Sequence, residues 1–359
     1  ARKYVPELPD YGTPLTIRHM LQHTSGLRDW GEIASIAGWP RGSRAHTHDH
    51  ALDIIRRQKS LNFIPGSRYS YSNSGYNLAA IIVSRVSGMS FAEFSRQRIF
   101  EPLGMTRTSW RDDYRRIVKD RAIAYSPAGD GFRMNMPFED VHGNGGLLTT
   151  VGDLLTWNEH FVTPKIGDAA FVALQQEPGR FNDGKPHTYA MGLMVRPYKG
   201  VPEVAHSGST AGYRAHLTRF PDQKVSVAVL CNTSNGAATQ YATTVADMYL
   251  AGSIETTAAG NTNRGRQQAT PYVPDAKDLA SYVGTYHSDE AEVTYEVALD
   301  GGALVVKRRP ATVWRLRPTA KDVFDAPPGD IAFIRGASGS VEELSLRGSR
   351  VFDLRFQRQ

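Results

Sequence analysis

The chain has 359 residues, 40% of them hydrophobic and 22% charged, with a net charge of +6. That length exceeds one small core and implies two units, and that composition belongs to a globular protein rather than a disordered one. Lys and Arg are scattered rather than gathered into a stripe interleaved with aromatics, so nucleic acid is not an expected partner. The apolar runs at 78–83 and 225–231 are too short for a stable membrane span. One cysteine, Cys231, excludes an internal disulfide and a cysteine metal cluster. It sits in an alternating stretch and reads as a small buried core residue. The chain opens on Ala1-Arg2-Lys3 with no charged-then-apolar leader. The extended, Pro-punctuated residues 4–9 read as the interior of something longer.

Residues 16–23 predict a short helix capped by Thr16, with Ile17, Met20 and Leu21 on one face, closed by Thr24-Ser25-Gly26. His46, His48 and His50 invite a metal reading. However, Thr47 caps a helix over 49–58, which would splay the three rings, so no metal is expected. Residues 74–87 carry helical periodicity, with Gly88 as the stop. Ser90 and Glu93 form a capping-box pattern for a second helix to about residue 100, ended by Pro102-Leu103-Gly104. A further helix spans 149–161, capped by Thr150, with Asp153 in its first turn. Gly145-Gly146 permits close backbone approach just before it.

The period then changes. Residues 189–198, 204–206, 212–219 and 224–231 read as strands, with Pro221-Asp222 turning the last pair, and 237–250 return to a helix. The fold class is therefore α+β, helices packed beside an antiparallel sheet. Residues 253–274 read as a linker. Beyond it, Asp300-Gly301-Gly302 marks a hairpin, and short alternating strands continue to 356. They predict a small closed or nearly closed all-β barrel of about 80 residues. The expected division is 1–252, the linker 253–274, and 275–359.

Three segments can carry chemistry: Tyr71-Ser72-Asn73, His206-Ser207-Gly208-Ser209 at the end of a strand, and Gly143-Asn144-Gly145-Gly146. A tyrosine acts as a general base only where a cation lowers its phenol pKa. A Gly-containing edge strand offers free N–H groups to an oxyanion or an extended substrate. Taken singly, each segment has a plain structural reading: a buried tyrosine, an N-capping asparagine, an edge histidine.

In combination the chain resembles a known family. Five segments carry the likeness in the family's order: residues 15–27, 65–76, 100–105, 145–150 and 206–213. Together they resemble the serine β-lactamase-like hydrolases, which include class C β-lactamases, DD-peptidases, D-aminopeptidases and related esterases. The region from about Asp275 is similar to the lipocalin-like barrel that some members append. The resemblance implies catalytic roles for Tyr71 (base or proton shuttle), His206 (strand motif) and Ser209 (oxyanion N–H). It implies substrate-binding roles for Asn73, Ser207 and Gly208. His23 and Gly145-Gly146 read as scaffold. It implies acyl-enzyme hydrolysis of esters or D-amino-acid peptides and amides, with a small-molecule or short-peptide substrate and no metal or cofactor. It leaves room for a homo-oligomer and implies a bacterial periplasmic or secreted location.

One departure is serious. No lysine of the 359 has a serine three positions before it; Lys59 and Lys119 follow Arg56 and Arg116, for example. No Gly-x-Ser-x-Gly elbow replaces the family's Ser-x-x-Lys. Either the segment that carries it precedes Ala1 in the natural protein, which is the favoured expectation, or the protein is an inactive peptide- or peptidoglycan-binding relative.

Overall fold

The computed structural model describes residues 1–255, 272–309 and 312–359, so most of the expected linker lies outside the described residues. Helices α1 (Ile17–Leu21), α2 (Trp30–Ile36), α3 (His48–Arg56) and α4 (Asn73–Ser87) come first. Then α5 (Phe91–Ser95) runs through a π-helical turn (Arg96–Phe100) into α6 (Glu101–Leu103). Strands β1 (Ser109–Trp110) and β4 (Leu147–Leu148) pair with each other, and β2 (Tyr125–Ala128) and β3 (Gly131–Met134) form a separate hairpin between them in sequence. After α7 (Val151–His160) and α8 (Ala169–Gln176) the chain builds an antiparallel meander. Its strands β5 (Met194–Tyr198), β6 (Val201–Thr210), β7 (Tyr213–Phe220) and β8 (Val225–Cys231) lie in sequence order. Helix α9 (Ala238–Leu250) packs on β7 and β8.

The C-terminal part opens with α10 (Ala276–Tyr282). Nine strands follow: β9 (Gly284–Ser288), β10 (Val293–Asp300), β11 (Ala303–Arg308), β12 (Thr312–Arg315), β13 (Arg317–Ala320), β14 (Val323–Asp325), β15 (Asp330–Arg335), β16 (Val341–Arg347) and β17 (Leu354–Arg358). They pair in the order β12-β11-β10-β9-β17-β16-β15-β14-β13. The outermost strands, β12 and β13, are sequence neighbours but not paired, so the barrel is nearly closed, as expected. Its core follows period-two alternation: Val293, Tyr295 and Val297 of β10 are buried, while Thr294 and Glu296 face out. Stacked pairs Tyr282–Phe333 and Tyr295–Phe356, with ring centroids 4.5 and 4.6 Å apart, fill the interior.

The barrel is not a free appendage. Its core continues into α2 through Ile33 and Ile36, and the Tyr295 hydroxyl donates to the Ile36 carbonyl at 2.9 Å. Buried Arg28 donates to Glu290 at 3.0 Å, to the Asp353 carbonyl at 2.8 Å and to the Ser60 carbonyl. A buried ion pair costs desolvation, which is offset here by carbonyl acceptors on both sides of the junction.

Several elements match expectation. Thr47 caps α3, and its three histidines go separate ways: His46 Nε2 lies 3.1 Å from the Trp39 carbonyl, His48 Nε2 lies 2.8 Å from the His142 carbonyl, and His50 Nδ1 accepts from Thr47 N–H. Gly88, at φ 71°, stops α4. Leu78, Ile81 and Ile82 of α4 are buried in the first core, each contributing about 1.5–3 kcal/mol.

Other expectations are corrected. Ser90 caps Glu93 N–H, but the Glu93 carboxylate pairs with Arg96 and does not return to complete a capping box. Pro102 sits inside a final helical turn, at a position where its missing N–H is harmless, and Gly104 ends it. Residues 189–193 turn rather than extend, with Gly192 at φ 82°. Strand β6 runs on to Thr210, so Ser207, Gly208 and Ser209 lie within a strand. Cys231, at the end of β8, is only partly buried.

Candidate active site

The site is built from the end of α1. Thr16 caps that helix, and it stops at His23, whose backbone turns left-handed at φ 55°. The strand-like approach to α4 then binds along this turn. Gly66 N–H donates to the Thr24 carbonyl, Ser70 N–H to the His23 carbonyl, and Ser72 N–H to His23 Nδ1 at 3.2 Å. Helix α4 comes so close to α1 that a Cβ on Gly75 would lie 2.8 Å from the Met20 carbonyl oxygen. Only glycine allows this approach, and it presses Tyr71 against His23, ring centroids 4.1 Å apart.

Accepting from Ser72 fixes His23 as the neutral tautomer with its proton on Nε2. Burial, with the His206 and Arg350 charges acting in the same sense, takes its pKa down to about 3. His23 is thus a neutral, buried positioning ring, in keeping with its expected scaffold role. Tyr69, Tyr76 and Tyr189 surround it at 5.9, 5.3 and 4.5 Å.

Asn73 is held by a closed ring of hydrogen bonds, most of them partly buried. The Asp29 carboxylate accepts from Asn73 N–H at 2.8 Å and from Asn73 Nδ2 at 2.6 Å. It also caps α2 by accepting from Glu32 N–H at 3.0 Å. Asn144 Nδ2 donates to Asn73 Oδ1 at 3.1 Å, and Asn77 Nδ2 donates to Asn144 Oδ1 at 2.9 Å. Trp30 Nε1 donates to Asn77 Oδ1 at 2.8 Å, which returns the ring to α2. The amide orientation of Asn73 is therefore set by its partners, oxygen to Asn144 and nitrogen to Asp29.

His206 comes from β6, with its ring centroid 6.2 Å from that of Tyr71. Its Nδ1 lies 2.7 Å from the Ser207 carbonyl, and Tyr189 Oη lies 3.0 Å from its Nε2. A carbonyl can only accept, so Nδ1 carries the proton and Nε2 accepts from the tyrosine. Burial lowers the His206 pKa, and both nitrogens are engaged, so the ring is neutral near pH 7. Beyond Ala205, β6 loses its β5 neighbour: the β5 pairing runs from Tyr198↔Val201 to Met194↔Ala205 and goes no further. Ser207, Gly208 and Ser209 pair with β7 alone, and all three are exposed. One backbone edge of that stretch is free, the geometry needed to pair with an extended substrate.

Tyr71 has no hydrogen-bond partner for its hydroxyl among the described residues. Burial pushes its phenol above the ordinary value, while Arg350 pulls it back. That guanidinium lies 4.8 Å from the Tyr71 ring centroid and 3.5 Å from Asp29 Oδ2. Arg41, the other cation acting on Tyr71, is paired with Glu139.

The structure thus brings Tyr71 to both His23 and His206, with Asn73 two residues after Tyr71 and with Ser207, Gly208 and Ser209 following His206 on the free end of β6. Four residues were missed from sequence. Asp29 had a signal, since Asp29-Trp30-Gly31-Glu32 is a capping pattern. Asn144 lay in a segment named for its chemistry, but no role was given to its side chain. Tyr189 was assigned to a strand. Arg350 had no signal at all.

Comparison with known proteins gives the family and the fold. The family model described as "Beta-lactamase" matches residues 1–250, and a "Domain of unknown function (DUF3471)" model matches 269–359. A D-aminopeptidase of Gluconobacter oxydans is 30% identical over 222 residues, 61% of this chain and 42% of that protein. A D-aminopeptidase of Brucella canis is 26% identical over 241 residues, 65% of this chain and 44% of that protein. The chain therefore spans less than half the length of these relatives. The octameric penicillin-binding protein homologue from Pyrococcus abyssi superposes with a TM-score of 0.60 at 23% identity, covering 99% of this chain and 81% of that one. With a family model over residues 1–250 and the same fold in a penicillin-binding protein homologue, the chain belongs to the Beta-lactamase family, the serine β-lactamase-like hydrolases.

Proposed function

We propose that these residues form the substrate-holding part of a serine hydrolase that works through an acyl-enzyme on esters or D-amino-acid peptides and amides. The observation that carries this is the approach of Tyr71, two residues before the fixed Asn73, to neutral His206 on a strand with a free edge. In this reading a serine Oγ attacks the substrate carbonyl carbon and its proton passes to Tyr71, which shuttles it. The Ser209 N–H helps to hold the resulting oxyanion, and Tyr71 returns the proton to the leaving amine or alcohol. Water then attacks the acyl-serine and releases the acid. Asn73 holds the substrate amide, while Ser207 and Gly208 pair with its backbone.

The serine and its lysine come, in this proposal, from a segment preceding Ala1. The outer edge of β8 supports this: no strand pairs with it among the described residues, and Leu230, Val245, Met248 and Tyr249 stand exposed on β8 and α9. A bare apolar edge of this kind is normally covered. The D-aminopeptidase relatives favour D-amino-acid amides or esters over β-lactams. The octameric Pyrococcus abyssi neighbour supports a homo-oligomer, which a native mass measures. A periplasmic or secreted location rests on the family's habit.

The test is hydrolysis by the natural full-length protein. D-alanine p-nitroanilide or p-nitrophenyl acetate should be cleaved, with nitrocefin slow. Efficient nitrocefin turnover without the other two would refute this substrate class. A second reading, an inactive peptide-binding relative, is favoured by the absence of Ser-x-x-Lys from these residues. Ligand binding with no covalent fluorophosphonate adduct on the natural protein would establish it instead.

A further inference from the structure

The barrel loop between β16 and β17 reaches the candidate site, and its backbone is pinned there. Arg350 N–H donates to Glu32 Oε2 at 3.1 Å, and its carbonyl accepts from Asn62 Nδ2 at 3.0 Å. Phe352 N–H donates to Asn62 Oδ1 at 3.0 Å, and the Phe352 ring packs 5.9 Å from Phe63. Arg28 holds the Asp353 carbonyl from below at 2.8 Å. The main chain of this loop is thus fixed from both units.

The Arg350 side chain is not fixed in the same way. One of its nitrogens reaches Asp29 at 3.5 Å, a long contact to a carboxylate that Asn73 and Glu32 already satisfy. Its other N–H groups have no hydrogen-bond acceptor among the described residues, and the side chain is 40% exposed. The guanidinium lies over the Tyr71 ring, a stacking mode open to arginine and one that orients its donor fork. The other basic groups near Tyr71 cannot compete for an anion. His23 and His206 are neutral, and Arg41 is bound to Glu139. An arginine fork with a fixed backbone and unfilled donors matches a carboxylate.

We propose that Arg350, contributed by the C-terminal barrel, is a substrate-binding residue that reads a carboxylate on the substrate, such as the free C-terminus of a short D-peptide. This rests on the hydrolase reading above and adds to it a preference, among the substrates cleaved, for those that carry a carboxylate. It also gives the barrel a function: it is one wall of the site. Asp29 links the two, since the carboxylate that holds Asn73 also touches Arg350, so a bound anion and the amide-holding Asn73 are arranged by one group.

The experiment compares two probes by calorimetry on the natural full-length protein: N-acetyl-D-alanyl-D-alanine and its C-terminal amide. The acid should bind at least about tenfold more tightly than the amide, the usual worth of a charge-assisted hydrogen-bonded pair. Arg350→Gln should erase that preference and leave amide affinity unchanged. Arg350→Lys should restore part of it, because charge returns without the fork. An unchanged urea midpoint in Arg350→Gln would show that the loop, held by its main chain, stays in place. Equal binding of acid and amide by the wild type, or an undiminished preference in Arg350→Gln, overturns the assignment. So does failure of both probes to bind. The hydrolase reading is judged separately, by fluorophosphonate labelling of the natural protein, which does not depend on Arg350.

Discussion

Replacing Asp29 with alanine should loosen the site and the first core together. The Asp29 side chain is 4% exposed and accepts from three N–H groups: Glu32 N, Asn73 N and Asn73 Nδ2. Loss of the α2 cap costs about 1 kcal/mol. The two Asn73 donors are only half buried, so water can replace part of what they lose, and about 1 kcal/mol for each is the appropriate end of the usual range. The sum is roughly 2–4 kcal/mol, with Arg350 adding little because its side chain is partly solvated. Equilibrium urea unfolding measures it, followed by tryptophan fluorescence, since Trp30 is fully buried beside the substitution. Asp29→Asn is the control: asparagine caps helices as well as aspartate, so about 1 kcal/mol should return. If Asp29→Ala unfolds within about 0.5 kcal/mol of the wild type, the ring of contacts around Asn73 does not hold this part of the fold.

Three further outcomes are expected. His23 stays neutral when folded until about pH 3, but titrates at its ordinary value of 6.5 when unfolded. As pH falls from 6.5 the unfolded state alone takes up the proton, so stability drops by about 1.4 kcal/mol per pH unit from this residue. The margin of the wild type over His23→Gln should therefore narrow between pH 7 and 4.5, and a constant margin would show that His23 is not a buried neutral ring. Glu290→Ala leaves the Arg28 guanidinium, with its side chain 2% exposed, as an uncompensated buried charge. It should cost about 3–5 kcal/mol, with the barrel released from α2, whereas a loss below about 1 kcal/mol by urea titration would mean that the pair does not secure the junction. Tyr189→Phe removes the donor that favours neutral His206, so an NMR titration should find the His206 pKa higher than in the wild type. An unmoved titration would remove Tyr189 from the site.

The sequence made some of this visible. Motif order, the glycine stop of α4, the Thr47 cap and the Asp300-Gly301-Gly302 hairpin are local, and local chemistry can be read in a short window. Helix α2 escaped because Trp30, Gly31, Ile33, Ala34 and Ile36 are all buried, leaving only Glu32 and Ser35 as polar positions, too few to set a period. Strand β6 was cut short because Ser207-Gly208-Ser209 looks like a turn, and only pairing with β7 keeps it extended. Tyr71 and Asn73 could be singled out, but their partners Asp29, Asn144 and Arg350 lie far away in sequence, where no spacing rule applies. The barrel was foreseen as a unit. Its role as a wall of the site was not, because that depends on how a loop from one unit lies across another.

The central claim is that Tyr71, Asn73 and His206 serve a serine nucleophile carried outside these 359 residues. It is tested most directly by the intact mass of the natural protein before and after exposure to a fluorophosphonate. The expected result is a chain heavier than these residues alone, gaining one phosphonyl group on the serine of a Ser-x-x-Lys segment preceding Ala1. A natural chain with the mass of these residues, or one that gains no adduct, would contradict it.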